Sequence, residues 1–143
     1  MSKKTPKAAA SEPGLFDSLR TDPAKADAGV WITHPRTRDR FQVKRRGSPE
    51  YLRAWFEALE DYEAKHGKDS KLTIEGQRYA ESIAMAKSVV IDWKLHNHPD
   101  LPYDAVRMAA ALADEQLRQD LYVWLIIETD GPTNFRPDAI AGN

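Results

Sequence analysis

The stretch SPEYLRAWFEALEDYEAKHG, residues 48–67, leaves the chain little choice of local structure. Ser48 offers a hydroxyl to a free backbone N–H at a helix start. Pro49 has the φ of a first helical residue, and Glu50 suits the positive end of the helix dipole. Leu52, Trp55, Phe56 and Leu59 recur at helical spacing with Tyr62 beside them, so one face is apolar. Gly67 can take the left-handed conformation that ends a helix. The stretch therefore predicts a helix over about 48–66 whose apolar stripe can meet other elements.

The rest of the chain predicts those elements. Residues 72–95 read as a longer helix, with Ile74, Tyr79, Ile83, Ala86, Val90 and Trp93 on its buried face and Gly76 early, where it does little damage. HNHPDLP breaks the pattern. Asp104 caps a short alanine-rich helix over 104–113. The last helix is expected over 114–128, with Leu117, Leu121, Trp124, Leu125 and Glu128 along one line, and Gly131 and Pro132 end it. GVWIT and RFQVKRR are rich in β-branched and aromatic residues. In the second, Phe41 and Val43 share one face and Gln42 and Lys44 the other, which predicts a hairpin over 29–46. LFDSLRTDP predicts one or two helical turns that stop before Pro23. Residues 1–14 have nothing to bury and read as a disordered tail, and 136–143 as a C-terminal tail held by Phe135. The expected fold is mainly α, in a single domain over 15–135. It is a small bundle of about four helices with an N-terminal β-hairpin and a disordered N-terminal tail.

Composition narrows the chemistry. The chain has no cysteine, which removes disulfides, thiolate metal sites and cysteine nucleophiles. Its net charge of -1 gives no global field that draws it to nucleic acid. No apolar run approaches the roughly 18 residues that a spanning helix needs, and the basic N-terminus lacks the apolar centre of a secretory signal. No glycine-rich phosphate loop, nucleophile elbow or paired metal-ligand helix motif is present. The reading is therefore of a protein that is not an enzyme and needs no cofactor or metal.

Four groups of residues still carry possible chemistry. His96 and His98, with Asp92 and Asp100 near in sequence, could converge on a cation, but a polar loop between helices explains them more simply. Arg36, Arg38, Arg40, Lys44, Arg45 and Arg46 form a candidate basic patch for phosphate contacts. Asp39 interrupts it, and the helix that follows is acidic through Glu57, Glu60, Asp61 and Glu63. The carboxylate pairs Asp114–Glu115 and Glu60–Asp61 read as solvated helix surface rather than as a general acid and base. Trp31, Trp55, Trp93 and Trp124 each fall in a different element and can all serve as core anchors. Trp55, Phe56, Tyr122 and Trp124 are the candidates for surplus apolar surface that meets a protein partner.

The order of the segments resembles the tail assembly chaperones of long-tailed bacteriophages. Thr21 and Asp22 precede Gly29, Val30 and Trp31. A strand with Phe41, Val43 and Arg45 follows, and then Gly47 and Tyr51. Later, VVIDWKLHNHPDLPYDAVRMAAAL places Trp93, Pro102, Tyr103 and Leu112 in the matching positions, and Phe135 closes the pattern. Asp104 stands where that family has a serine, and either residue can cap a helix.

The resemblance implies a non-enzymatic assembly factor of the host cytoplasm, absent from the mature virion. It would keep the tape-measure protein soluble and help recruit tail tube subunits. A frameshifted longer form of the same chain would be a further partner, self-association would accompany the role, and neither a membrane nor nucleic acid would be involved. The competing readings are a structural head–tail or tail component, a small nucleic-acid-binding module using the basic hairpin, and a metal-dependent hydrolase using His96 and His98.

Overall fold

A computed structural model describes residues 14–137. The tail expected over 1–14 lies outside the described residues except for Gly14, and the tail expected over 136–143 except for Arg136 and Pro137. Among the described residues, five α-helices accompany a small antiparallel sheet: α1 (Pro23–Ala28), α2 (Pro49–His66), α3 (Ile74–Ala84), α4 (Ala105–Ala113) and α5 (Val123–Asp130). The strands are β1 (Val30–Thr33), β2 (Arg40–Val43) and β3 (Val90–Lys94), in the order β1-β2-β3. No helix among the described residues is long and apolar enough to cross a membrane.

The capping residues of α2 act as their chemistry predicts. The Ser48 hydroxyl accepts from the Tyr51 N–H at 3.1 Å, and Gly67 closes the helix at φ 97° with its N–H on the Glu63 carbonyl. Tyr51, Ala58 and Leu59 are buried, and Ala58 and Leu59 pack against Ala80 of α3. Asp104 caps α4 by accepting from the N–H groups of Val106 and Arg107.

Three sequence expectations need correction. The helix expected over 72–95 is α3 followed by a π turn, Met85–Val89, and then by strand β3. Paired with β1 alone, β2 would keep one edge without a partner, and β-branched Val90 and Ile91 suit an extended backbone better than a helix. Pairing therefore wins over helical periodicity: Arg40 faces Lys94, Phe41 faces Trp93, Gln42 faces Asp92 and Val43 faces Val90, with Ile91 as the extra residue of a bulge. The expected hairpin is thus two strands of a three-stranded sheet. Ile74, assigned to the buried face, is 68% exposed at the start of α3.

The second correction concerns Pro23, which opens a helix rather than closing one. Asp22 accepts from the Ala24 N–H, and Pro23 occupies the first turn of α1. Only Asp17–Leu19 of the preceding stretch is helical, as a single 3-10 turn. Third, the helix expected over 114–128 begins as turns, passes through a π turn at Arg118–Tyr122 and becomes α-helical at Val123.

The core lies between the inner sheet face and α3, α4 and α5. Ile32, Val43, Met85, Val89, Val90, Met108, Leu112, Leu125 and Phe135 are almost completely enclosed there. Each such large side chain contributes about 2 kcal/mol by leaving water. Phe135 holds the end of the chain to α1, since its carbonyl accepts from the Asp22 N–H at 2.7 Å. Trp93 and Tyr103 pack edge to face at 4.9 Å, the indole N–H donates to the Leu101 carbonyl, and the Tyr103 hydroxyl donates to Ala86.

Gly76 has a role that helix propensity hides. A Cβ at this position would lie 2.5 Å from the Ser70 carbonyl oxygen and 3.1 Å from the Lys71 Cα, both backbone atoms. Alanine is intrinsically better in a helix by about 1 kcal/mol, but overpacking against backbone costs about 1–3 kcal/mol. Gly76→Ala is expected to lower the midpoint of urea unfolding, and an unchanged or raised midpoint would show that the 70–72 turn yields freely.

Candidate protein-binding surface

The β1–β2 turn docks on the start of α5, and His34 makes the joint. Strand alternation puts His34 on the same inward face as Val30 and Ile32, and it is buried. Its Nδ1 accepts from the N–H groups of Arg36 at 3.1 Å and Thr37 at 3.3 Å. That arrangement leaves the proton on Nε2, which donates to the Asp120 carbonyl at 2.8 Å. The imidazole lies against Trp124 with ring centroids 4.7 Å apart, and Phe41 meets the same indole at 5.9 Å. Outside this joint, the Arg36 guanidinium pairs with the Asp120 carboxylate at 2.7 Å. Arg38 takes a left-handed φ of 66° at the turn, and the Arg38 N–H returns to the His34 carbonyl.

A groove lies on each side of the Arg36–Asp120 pair. The larger, of about 410 Å³, runs between Pro35 and the Val123, Trp124 and Ile127 side of α5. The smaller, of about 250 Å³, is lined by Phe41, Leu117 and Leu121 beside Thr37 and Asp39. Ile127 is 65% exposed and Leu117 is also exposed, while Trp124 is half-buried. Apolar side chains therefore reach solvent on both sides of an exposed ion pair. This geometry suits capture of an apolar helix whose polar groups meet the ion pair.

The candidate aromatics divide between three environments. Trp124 lines the larger groove. Phe56 is 59% exposed on α2, with half-buried Trp55 edge-on to it at 4.9 Å. Tyr122 is only 5% exposed and cannot serve as a contact, which corrects its assignment to the surplus surface. The π turn carries it inward, and the Arg118 guanidinium lies over its ring at 4.4 Å. Burial, and then a hydrogen bond with Glu81, hold the Tyr122 phenol well above its ordinary range.

The six basic residues do not form one patch. Arg36 is committed to Asp120, and Arg46 to Asp130 at 3.0 Å and to the Tyr51 hydroxyl. Arg40 lies over Trp31 on the outer sheet face, Arg38 is exposed in the turn, the Lys44 backbone N–H extends the β2–β3 pairing to Val89, and Arg45 borders a cleft beside Asp27 and Ser48. His96 and His98 flank a tight turn closed by a Leu95–His98 bridge, and the Asp39 carboxylate accepts from the His96 backbone N–H at 2.7 Å. Among the described residues, no group of three or more His, Cys, Asp or Glu side chains is placed to hold a metal ion. Glu60 and Glu115 are in ion pairs with Lys71 and Arg78.

His34 escaped the sequence reading, although the parity of Val30 and Ile32 was a usable signal for it. Comparison with protein-family models, curated proteins and solved structures finds no match to this chain.

Two outcomes test the joint. His34→Ala leaves the Arg36 and Thr37 amides and the Asp120 carbonyl without this partner, and is expected to cost about 2 kcal/mol in urea unfolding with a red shift of tryptophan emission. A wild-type midpoint would remove His34 from its structural role. For Tyr122, the folded state retains the phenol proton above the ordinary value of 10.0 while the unfolded state releases it. Its contribution is therefore complete below about pH 10 and declines as the pH rises beyond that. The stability difference between wild type and Tyr122→Phe should be constant up to that pH and shift against the wild type above it.

Proposed function

We propose that this protein is a tail assembly chaperone of a long-tailed bacteriophage, acting without bond-making chemistry. Its partner is the tape-measure protein, a long chain whose apolar helical faces aggregate when unshielded. The observation that carries the reading is the groove beside Trp124, where Val123, Ile127 and Pro35 present apolar surface next to the Arg36–Asp120 pair. An apolar helix face fits such a site, and a modest contact area allows later displacement by tail tube subunits.

The order of Gly29–Trp31, Phe41–Tyr51, Trp93–Leu112 and Phe135, which resembles that family, supports the same reading. Under it, the chain works in the host cytoplasm, hands its cargo to the tail tube protein, is joined by a frameshifted longer form and is absent from the mature virion. Phe56 and Trp55 are then available for a separate contact.

Co-expression with the tape-measure protein tests the proposal. Ile127→Lys puts a charge into the groove at an exposed position, so folding is expected to survive while soluble tape-measure protein falls severalfold. Val106→Lys, on exposed α4 surface, should leave the yield unchanged. Equal yields from the two variants would exclude the groove as the contact, and finding the chain in purified particles by mass spectrometry would favour a structural tail component instead.

A further inference from the structure

The smaller groove beside the Arg36–Asp120 pair has a polarity of its own. Buried Phe41 lies at its base, Leu117 and Leu121 reach it from the segment before α5, and Thr37 and Asp39 reach it from the β1–β2 turn. Its volume of about 250 Å³ lies below the roughly 300 Å³ at which pockets for small-molecule ligands begin, so it suits a single side chain. Three charged groups line it: the Arg36 guanidinium and the carboxylates of Asp39 and Asp120. Arg36 is taken up by Asp120 at 2.7 Å, which leaves Asp39 as the excess charge.

Asp39 is held at three points. Its carbonyl accepts from the His34 N–H at 2.8 Å, its N–H donates to the Thr37 hydroxyl at 3.3 Å, and one carboxylate oxygen accepts from the His96 backbone N–H at 2.7 Å. Among the described residues, the second carboxylate oxygen has no hydrogen-bond donor and the group has no ion pair. The cations around it are placed otherwise. Arg40 and Lys94 stand opposite each other on the outer sheet face and lie over Trp31, while strand alternation gives Asp39 the inward parity of Phe41. Neither exposed Arg38 nor the exposed His96 ring comes within ion-pair distance of it. A half-buried carboxylate with one open oxygen thus stands at the edge of an apolar pocket.

We infer that the smaller groove is the anchor pocket for an arginine side chain of a protein partner. The aliphatic stem packs against Phe41, Leu117 and Leu121, and the guanidinium meets the open oxygen of Asp39. Arginine is more weakly hydrated than lysine, so it loses less on entering an apolar pocket. A seated arginine is also one of the side chains that dominate binding energy at protein interfaces. A purely apolar side chain would cover the Asp39 carboxylate without replacing its water, which costs affinity. The site uses neither Val123 nor Ile127 of the Trp124 groove. It rests on the tape-measure reading only for which protein supplies the arginine, and requires of that partner a basic residue beside its apolar face.

An NMR titration of the isotope-labelled full chain tests it, with arginine blocked by acetyl and methylamide groups as the probe. The probe is expected to shift the amides of Thr37, Asp39, Leu117 and Leu121 saturably, and to bind more weakly at high salt. Blocked citrulline, the neutral isostere, and the bare guanidinium ion should each bind severalfold more weakly, since each lacks one half of the recognition. Asp39→Asn keeps an oxygen for the His96 N–H and should lower arginine binding to the citrulline level while leaving citrulline unchanged. Leu117→Arg, at an exposed position, sets a guanidinium at the pocket and should abolish probe binding. The same spectra show whether each variant is folded. A probe that shifts none of these amides, equal binding of arginine and citrulline or of arginine and guanidinium, or undiminished binding in both variants would each overturn the inference. Free arginine binding severalfold tighter than the blocked form would make the occupant a free amino acid and overturn it too. Ile127→Lys leaves the lining of the smaller groove intact and should still bind the probe, so loss of tape-measure solubility there and loss of arginine binding in Asp39→Asn are independent results.

Discussion

The pairing of β3 with β2 is the constraint on which the structure depends. Without it, β1 and β2 are a two-stranded hairpin, which is marginal in water. The partner strand arrives only after α2, α3 and the π turn, so the hydrogen bonds of residues 40–43 fix the ends of a long excursion. They also set the bulge at Ile91, which keeps Val90 and Trp93 inward while Asp92 and Lys94 stay outward. A strand without that extra residue would place Val90 or Trp93 on the wrong face.

Two π turns carry consequences of this arrangement. The first ends α3 and delivers the chain into β3, with the Val90 N–H returning to the Met85 carbonyl. The second precedes α5. It turns Tyr122 into the core and presents the Asp120 carbonyl to His34. Wider turns of this kind redirect side chains that a regular helix would keep in line. At Trp124 the β1–β2 turn meets the second π turn and α5 through that imidazole, and the Arg36–Asp120 pair spans the same junction at the surface.

Charge is distributed with the same economy. Arg36 and Arg46 each tie the sheet region to the C-terminal part of the chain, while Arg40 and Lys94 remain uncompensated over Trp31. An arginine count in the sequence treats these residues alike. Their partners, and so their availability to another molecule, depend on what the fold places beside them.

The locally encoded features were legible in the chain before it folds. Ser48, Pro49 and Gly67 set the limits of α2, Asp104 capped α4, and the alternation around Phe41 and Val43 marked a half-buried strand, because each rests on contacts within a few residues. Trp124 and Phe56 could be nominated as surface candidates from helical spacing, and His34 could have been placed inward by parity. That 90–94 is a strand, that Tyr122 is buried, that a Cβ at Gly76 would meet backbone and that Arg36 faces Asp120 follow from the packed fold. Those outcomes depend on groups far apart in the chain, whose hydrogen bonds and packing outweigh the modest local preferences of the residues concerned.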